Sequence, residues 1–205
     1  MATIQLYEKL LQFPLFQGMS HNELMQVVSR TKFNFIKIES GKNIVKEGER
    51  CDHFIFVING TIEIKTISDD HSYTVAEEIN APYLIQPEDL FGITQRYHST
   101  FTAKCTTGLL TIDKKEVMKL GESFLVFRLN LLNLYTSHIH KLQRAAWQHQ
   151  SADPRQRIIR FIVSHSQYPA GKKTIYILLE QLGKELNDSR LDITRALNPL
   201  QAEGL

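Results

Sequence analysis

The chain has 205 residues, of which 42% are hydrophobic and 22% are charged. This composition is typical of globular proteins, excludes a disordered chain, and suits one large domain or two small ones. The formal net charge is only +2, so attraction to a polyanion depends on where the charges lie. The N-terminal segment shows no signal peptide or membrane span, and we therefore expect a cytoplasmic protein with no membrane partner.

The two cysteines argue against several cofactors. Cys51 and Cys105 lie far apart and form neither a CxxC pair nor a set of zinc ligands. Iron–sulfur clusters usually take four cysteines, so a cluster-based sensor is not expected. His138 and His140 are two residues apart and do not share a helix face, which makes them a poor metal pair. No metal is predicted, and the cofactor is left open.

The first 30 residues are predicted to form short helices. Ser20 is a good N-cap, and Glu23 three residues later completes a capping-box pattern. Leu24, Val27 and Val28 then provide an apolar stripe. We interpret this segment as a packing helix.

Residues 31–112 are predicted to form β-strands, because short β-rich runs alternate with turn signals. Asn59-Gly60 stands between two such runs and predicts a β-hairpin. Many short strands at this spacing predict a sandwich or jelly roll, which with the flanking helices gives an α+β chain. The predicted strands are Phe33–Ile38, Asn43–Val45, Phe54–Ile58, Thr61–Lys65, Tyr73–Val75, Thr100–Ala103 and Leu109–Ile112.

Residues 114–150 are predicted to be a long helical region with two apolar seams. A helix that is apolar on two faces must bury both, so one seam can pack on the β domain and the other on an identical helix of a partner. This predicts a homodimer; the alternative is a helix buried within one chain. The first seam is Leu125, Leu129, Leu132, Ile139 and Ala146, and the second is Phe124, Phe127, Leu131, Leu134 and Leu142.

The last third of the chain predicts a compact helical domain. Asp153-Pro154 marks a hinge and a helix start, and the helix from Arg155 to His165 is amphipathic through Ile158, Ile159, Ile162 and Val163. Thr174–Ile177 is predicted to be a strand. Two further helical patterns follow: Leu178, Leu179, Leu182 and Leu186 precede the turn Asn187-Asp188-Ser189, and Ile193, Leu197 and Leu200 follow it.

A helix, a short turn and a second capped helix are the plan of a helix-turn-helix, whose second helix enters the DNA major groove. An ordinary helical hairpin in a core is the alternative. Residues 151–205 carry eight Arg or Lys and six Asp or Glu, an excess of two, whereas the preceding residues balance. This places the basic excess where phosphate attraction requires it. The residues predicted to contact DNA are Lys184, Ser189, Arg190, Asp192, Thr194 and Arg195.

The string LGKELNDSRLDITRALNPLQAEGL resembles the DNA-binding end of the Crp/Fnr family of bacterial transcription regulators. Ser189-Arg190, Ile193-Thr194-Arg195 and Glu203-Gly204-Leu205 fit the family pattern. The resemblance implies base contacts for both arginines. Leu191, however, stands where many members carry a base-reading glutamate, and Asn187-Asp188 replaces the usual glycine and hydrophobe of the turn. We therefore expect a different DNA half-site.

The β region is similar to the cyclic-nucleotide-binding domain of the same family through Gly41, Gly48, Asp52, the Phe54–Ile58 strand, Gly60 and Phe91-Gly92. Family binders follow Phe-Gly with a glutamate for the ribose and, later, an arginine for the cyclic phosphate. Here Ile93 replaces the glutamate, and Arg96 comes too early for the arginine. Because a buried phosphate needs a positive partner, we expect an unknown effector rather than a cyclic nucleotide. The predicted pocket residues are Phe91, Gly92, Ile93, Thr94 and Arg96.

These features predict a sensor domain at 1–113, a dimerisation helix at 114–150 and a helix-turn-helix domain at 151–205. The predicted function is sequence-specific binding of double-stranded DNA in transcription regulation, with RNA polymerase as a candidate partner. The alternatives are a haem or gas sensor of the same architecture, and a ligand-binding module without DNA activity. No catalytic motif is present, so no enzyme is expected.

Family members continue past Glu-Gly-Leu into a β-hairpin wing. We therefore expect an incomplete wing and an unpaired edge on Thr174–Ile177, whether the protein is naturally short or the sequence incomplete.

Overall fold

A computed structural model describes residues 2–146, 153–167 and 171–203. The fold is α+β, as predicted, and its residues form two compact units. The first unit comprises residues 1–62 and 80–143, and the second comprises residues 63–79 and 144–205. Within the described ranges, no helix is both long and apolar enough to cross a bilayer.

The chain begins with the helices α1 (Ala2–Leu10) and α2 (His21–Arg30), separated by a 3-10 turn at Pro14–Phe16. The predicted capping box at α2 is confirmed. The Ser20 hydroxyl accepts from the Glu23 N–H at 3.3 Å, and the Glu23 carboxylate accepts from the Ser20 N–H at 2.8 Å. Leu24 and Val27 of the predicted stripe are fully buried.

Nine strands are described in the chain: β1 Asn34–Ile38, β2 Asn43–Val45, β3 His53–Asn59, β4 Thr61–Ile67, β5 Tyr73–Asn80, β6 Tyr83–Ile85, β7 Thr100–Ala103, β8 Thr107–Asp113 and β9 Lys173–Ile177. In the first unit β1, β8, β3 and β6 form an antiparallel sheet in that order, and β2 pairs with β7. Phe13 and Phe16 pack on Phe56 of β3, with ring centroids 4.9 and 5.9 Å apart. The N-terminal helical segment therefore closes one face of this sheet.

The hairpin predicted at Asn59-Gly60 is wrong. β3 and β4 are not neighbours in the four-stranded sheet, because β4 belongs to the other sheet. Gly60 has φ +95°, and a Cβ there would lie 2.7 Å from the Thr107 Oγ1. The dipeptide thus makes a tight corner between sheets rather than a two-residue hairpin. β6 was not predicted.

In the second unit the β4–β5 hairpin gains a third strand. The Ser68 N–H donates to the Tyr73 carbonyl at 3.1 Å across the hairpin turn. β9 pairs antiparallel with β5, placing Ile177 opposite Tyr73 and Lys173 opposite Glu77. β9 is the last strand of its sheet, so β5 covers one of its edges and no strand of the described residues pairs with the other, as the sequence predicted.

The long helical region consists of two helices, α3 (Lys114–Ser123) and α4 (Leu125–Ala146). Phe124 between them is extended, at φ −125° and ψ 108°, and its side chain is buried. In the second seam Phe127 is also buried, whereas Leu142 is exposed in the single chain. In the first seam the side chain of Ala146 lies outside the described residues, and four leucine and isoleucine side chains are each roughly half exposed: Leu125, Leu129, Leu132 and Ile139.

Three helices complete the second unit: α5 (Pro154–Ser164), α6 (Leu179–Leu186) and α7 (Arg190–Ala202). The predicted N-cap of α5 is confirmed, since the Asp153 carboxylate accepts from the Arg155 N–H at 3.0 Å. The predicted stripes are wrong at four exposed residues: Ile159 and Val163 of α5, Leu179 of α6, and Leu178, which precedes α6. The core is formed by Ile158, Phe161, Leu182, Leu186, Ile193 and Leu200.

Candidate functional site

The turn between α6 and α7 has the geometry of a tight helix-turn-helix corner. Asn187 adopts the left-handed conformation at φ 56° and ψ 42°, which asparagine tolerates better than most residues. The Asp188 N–H donates to the Gly183 carbonyl at 2.8 Å. A Cβ on residue 183 would lie 2.8 Å from the Asp188 carbonyl oxygen. Glycine in α6 therefore permits the turn that the sequence predicted.

An ion pair joins this turn to α5. The Arg157 Nε donates to Asp188 at 2.9 Å, and a second guanidinium nitrogen of Arg157 contacts the other carboxylate oxygen. The Asp188 side chain is only 9% exposed. Hydrogen bonding to Asp188 raises the pKa of Arg157 above its usual range. The planar, two-point geometry fixes where α7 begins, and it occupies the guanidinium of Arg157.

Ser189 caps α7 as predicted. Its hydroxyl accepts from the Asp192 N–H at 3.2 Å and donates to the Asp192 carboxylate at 2.6 Å. The Thr194 hydroxyl donates to the Arg190 carbonyl at 2.8 Å. Three of the predicted DNA contacts, Ser189, Asp192 and Thr194, therefore already hold internal hydrogen bonds that shape the helix.

One face of α7 is exposed along its length. A helical step of about 100° per residue places its exposed members within an arc of about 140°, with the two arginines at the two edges. Buried Ile193 and Leu200 lie on the opposite side. We call this surface the α7 face; its members are Arg190, Leu191, Thr194, Arg195 and Asn198.

Lys184 lies on α6 beside the start of α7. It is exposed, and its ammonium lies 3.7 Å from the Glu180 carboxylate one turn earlier. Both side chains line an open depression of about 360 Å³, which also includes the turn residues and Arg190. The structure thus brings Lys184 and Arg190 to one surface, as the sequence predicted, but it adds an acidic neighbour that the sequence analysis did not consider.

The predicted effector residues lie in separate surroundings. Ile93 is fully exposed and follows Gly92, which has φ +111°. The guanidinium of Arg96 donates to the Gly48 carbonyl at 2.6 Å. The ring of Phe91 lies under the Lys114 ammonium, 4.9 Å from its centroid. Thr94 is exposed. Arg96, the basic residue of the predicted pocket, therefore already bonds to a backbone carbonyl of the protein.

A polar cluster next to these residues was missed. Gln86 is buried in the left-handed conformation, and its amide nitrogen lies 2.8 Å from the His98 Nε2 and 3.0 Å from the Ser99 hydroxyl. The His98 Nδ1 lies 2.9 Å from the Asp89 carboxylate. We call these four residues, Gln86, Asp89, His98 and Ser99, the Gln86 cluster. Hydrogen bonding to Asp89 raises the pKa of His98, and the nearby carboxylates of Glu88 and Glu47 act in the same direction.

The amide oxygen of Gln86 has no hydrogen-bond partner in the described part of the chain. A half-turn of the amide would bring this oxygen to His98 and Ser99, an arrangement that suits an imidazole protonated on both nitrogens. The two orientations of the Gln86 amide therefore suit different protonation states of His98. No spacing in the sequence signalled this, because Gln86 and His98 are twelve residues apart in different elements.

A buried phenol, Tyr97, and a half-buried one, Tyr135, border the cluster. Burial raises the pKa of Tyr97, which hydrogen-bonds to Cys51, and burial likewise raises the pKa of the Cys51 thiol. The Tyr135 hydroxyl of α4 donates to the Pro87 carbonyl at 2.9 Å. Pro87 follows Gln86 directly, so α4 is bonded to the segment that carries the Gln86 cluster. Among the described residues, no group of three or more His, Cys, Asp and Glu is arranged to hold a metal ion.

Comparison with known proteins agrees with this architecture. Residues 35–124 match the family model of the cyclic nucleotide-binding domain. The catabolite activator protein of Thermus thermophilus superposes with a TM-score of 0.58 at 18% identity, covering 94% of this chain and 88% of that chain. The sensor domain of the transcriptional regulator DNR from Pseudomonas aeruginosa gives 0.59 at 18% identity, covering 72% and 96%.

The N-terminal domain of a transcriptional regulator from Streptomyces coelicolor A3(2) gives a TM-score of 0.54 at 18% identity, covering 70% of this chain and 99% of that chain. No curated protein matches the sequence. Residues 35–124 therefore form a cyclic-nucleotide-binding-like domain, and the chain shares the fold of these solved proteins, so the resemblance noted in the sequence is confirmed at the level of fold.

Proposed function

We propose that this chain is a sequence-specific DNA-binding transcription regulator whose sensor domain does not bind cyclic nucleotides. The observation that carries the proposal is the α7 face. It lies on a capped helix after a tight turn, and it presents Arg190 and Arg195 on a surface free of core packing. An exposed, preorganised helix of this kind fits the major groove, where arginine can bond guanine through two donors.

The charges of the second unit support the same assignment. The pairing of Arg157 with Asp188 removes one basic and one acidic residue from contact with a ligand. Arg190 and Arg195 form no ion pair with any residue of the described chain, and Lys184 has only an exposed neighbour. Exposed cations that lack strong internal partners are the ones that can neutralise phosphates and release counterions.

A homodimer forms part of the proposal. The half-exposed first seam of α4 runs over four turns, and a solvent-exposed leucine stripe of this length favours a paired helix. Two helix-turn-helix units would then bind a palindromic site.

The effector is proposed to be something other than a cyclic nucleotide. Isoleucine at position 93 offers no hydrogen bond to a ribose, and Arg96 is engaged with a backbone carbonyl. The neighbouring polar side chains are those of the Gln86 cluster, and they already hydrogen-bond to one another.

The test is selection of binding sites from a randomised duplex library, followed by titration of the selected site at several salt concentrations. The proposal expects a palindromic consensus and an affinity that falls steeply as salt rises. The matched control is the double variant Arg190→Ala/Arg195→Ala, which should enrich no consensus. If the unmodified protein enriches no consensus from the library, the proposal is contradicted.

A further inference from the structure

We propose that Leu191 recognises the methyl group of a thymine in the major groove. This deepens the proposed function and rests on it. Leu191 is 59% exposed at the second position of α7, although leucine in a helix of a globular unit ordinarily packs inward. The core of the second unit is already supplied by Ile193 and Leu200 on the opposite side of the same helix.

The position of Leu191 is that of a base-contacting residue. It belongs to the α7 face, about 100° around the helix from Arg190 and about 40° from Arg195. Residues near the N-terminus of a recognition helix are the ones that reach base edges. An approach that seats this face in the major groove, with both arginines at base edges, would bring the leucine against the base edges between their contacts.

The chemistry of the side chain selects one base. An isobutyl group neither donates nor accepts a hydrogen bond, so it leaves the polar edges of guanine, adenine and cytosine unsatisfied. The C5-methyl of thymine is the apolar group that a base presents in the major groove. Burying it against Leu191 removes both apolar surfaces from water. The expected gain is about fourfold in affinity, which corresponds to about 0.8 kcal/mol for one methyl-sized group.

The neighbouring polar residues do not compete for this position. The Asp192 carboxylate is bonded to the Ser189 hydroxyl, and the Thr194 hydroxyl is bonded to the Arg190 carbonyl. These internal bonds leave Leu191 as the apolar member of the first turns of the face, between the free donors of Arg190 and Arg195.

The experiment replaces single thymines of the selected site with deoxyuridine, which lacks only the methyl group. For the unmodified protein we expect about a fourfold loss of affinity at one thymine per half-site and no change at the others. In Leu191→Ala the affinities for thymine and deoxyuridine at that position should be equal. Leu191→Glu should instead favour cytosine there, because a carboxylate accepts from the cytosine amino group.

Leu178→Ala is the matched control, because Leu178 is 76% exposed in the same unit but precedes α6 and lies outside the α7 face. This variant should keep the fourfold discrimination. If every thymine tolerates deoxyuridine in the unmodified protein, or if Leu191→Ala keeps the discrimination, the assignment of Leu191 is wrong while the proposed function stands. If the unmodified protein selects no site, the proposed function fails and this inference fails with it.

Discussion

The Gln86 cluster and the α7 face use polar side chains in opposite ways. In the cluster, the side chains of Gln86, His98 and Asp89 are bonded to one another, and the glutamine amide is buried. On the α7 face, Arg190 and Arg195 extend from a fixed backbone into solvent. A ligand at the first region has to break bonds that the protein already makes, whereas a ligand at the second finds donors ready to use.

The comparison assigns different tasks to the two regions. The side chains of the Gln86 cluster bond mainly to one another, although the Gln86 amide oxygen has no partner among the described residues, and Tyr135 bonds α4 to the same segment. A preorganised exposed helix changes little, as the proposed recognition role requires.

The largest effect is expected from charges in the exposed seam of α4. Leu132→Glu/Ile139→Glu places unpaired charges where we expect two helices to meet, so the protein should sediment as a monomer and lose specific DNA binding. Ser137→Glu adds a charge to an exposed position elsewhere around the helix and should remain dimeric. Sedimentation of the unmodified protein as a monomer at tens of micromolar would remove the basis for this prediction.

The next effect concerns the ion pair beneath the turn. Asp188→Asn keeps the shape of the side chain but removes the charge that Arg157 bonds, so the melting temperature should fall and the base preference of α7 should broaden. Glu203→Gln, which breaks the more exposed pair with Arg155, should change neither property measurably. Arg157→Gln combined with Asp188→Asn should recover part of the stability, because no unpaired charge remains. Equal behaviour of Asp188→Asn and Glu203→Gln would contradict a positioning role.

A smaller effect is expected from His98. Its pKa is raised in the folded protein by hydrogen bonding to Asp89. The contribution of the protonated form to the free energy of unfolding is therefore full below the ordinary histidine pKa and is lost as the pH rises through the raised value. Urea unfolding between about pH 5 and pH 8 should show this decline, and His98→Asn should lack it. A decline of the same size in His98→Asn would assign it to other groups. Because His98 is about half exposed, the change should be modest.

No effect at all is expected from cyclic AMP or cyclic GMP. Isothermal titration at micromolar concentrations should give no binding isotherm, because neither Ile93 nor Arg96 is placed to hold the ribose and phosphate. Ile93→Glu tests the complementary point, since restoring one hydrogen-bond acceptor without a phosphate partner should still give no isotherm. A one-site isotherm with the unmodified protein would show that the pocket lies elsewhere.

Local signals predicted much of the fold. The capping box at Ser20, the Asp153-Pro154 helix start and the Ser189 cap all depend on contacts within three residues, and all are present. Long-range pairing was not predictable in this way. The chain at Asn59-Gly60 passes to the other sheet, and β9 pairs with β5 about a hundred residues earlier. Alternation of apolar residues predicts a strand but does not say which strand lies beside it.

The candidate site shows the same difference between local signals and long-range contacts. The exposed arginines of α7 followed from helical periodicity, and so did the cap. The pairing of Arg157 with Asp188 and the Gln86 cluster join residues from separate elements, which one sequence does not reveal. The sequence did mark Asn187-Asp188 and Leu191 as departures from the family pattern. In the structure Asn187 adopts the left-handed conformation and Asp188 pairs with Arg157. Leu191 is exposed on the α7 face.

The central claim is that α7 is the recognition helix, and comparison of Arg190→Ala with Lys184→Ala on a randomised site library tests it most directly. Arg190→Ala should cost about 1–3 kcal/mol in binding and relax the preference at one base pair per half-site. Lys184→Ala should weaken all sequences alike and flatten the dependence on salt. If Arg190→Ala weakens binding uniformly and leaves every base preference intact, Arg190 contacts only the DNA backbone and the assignment of α7 is wrong.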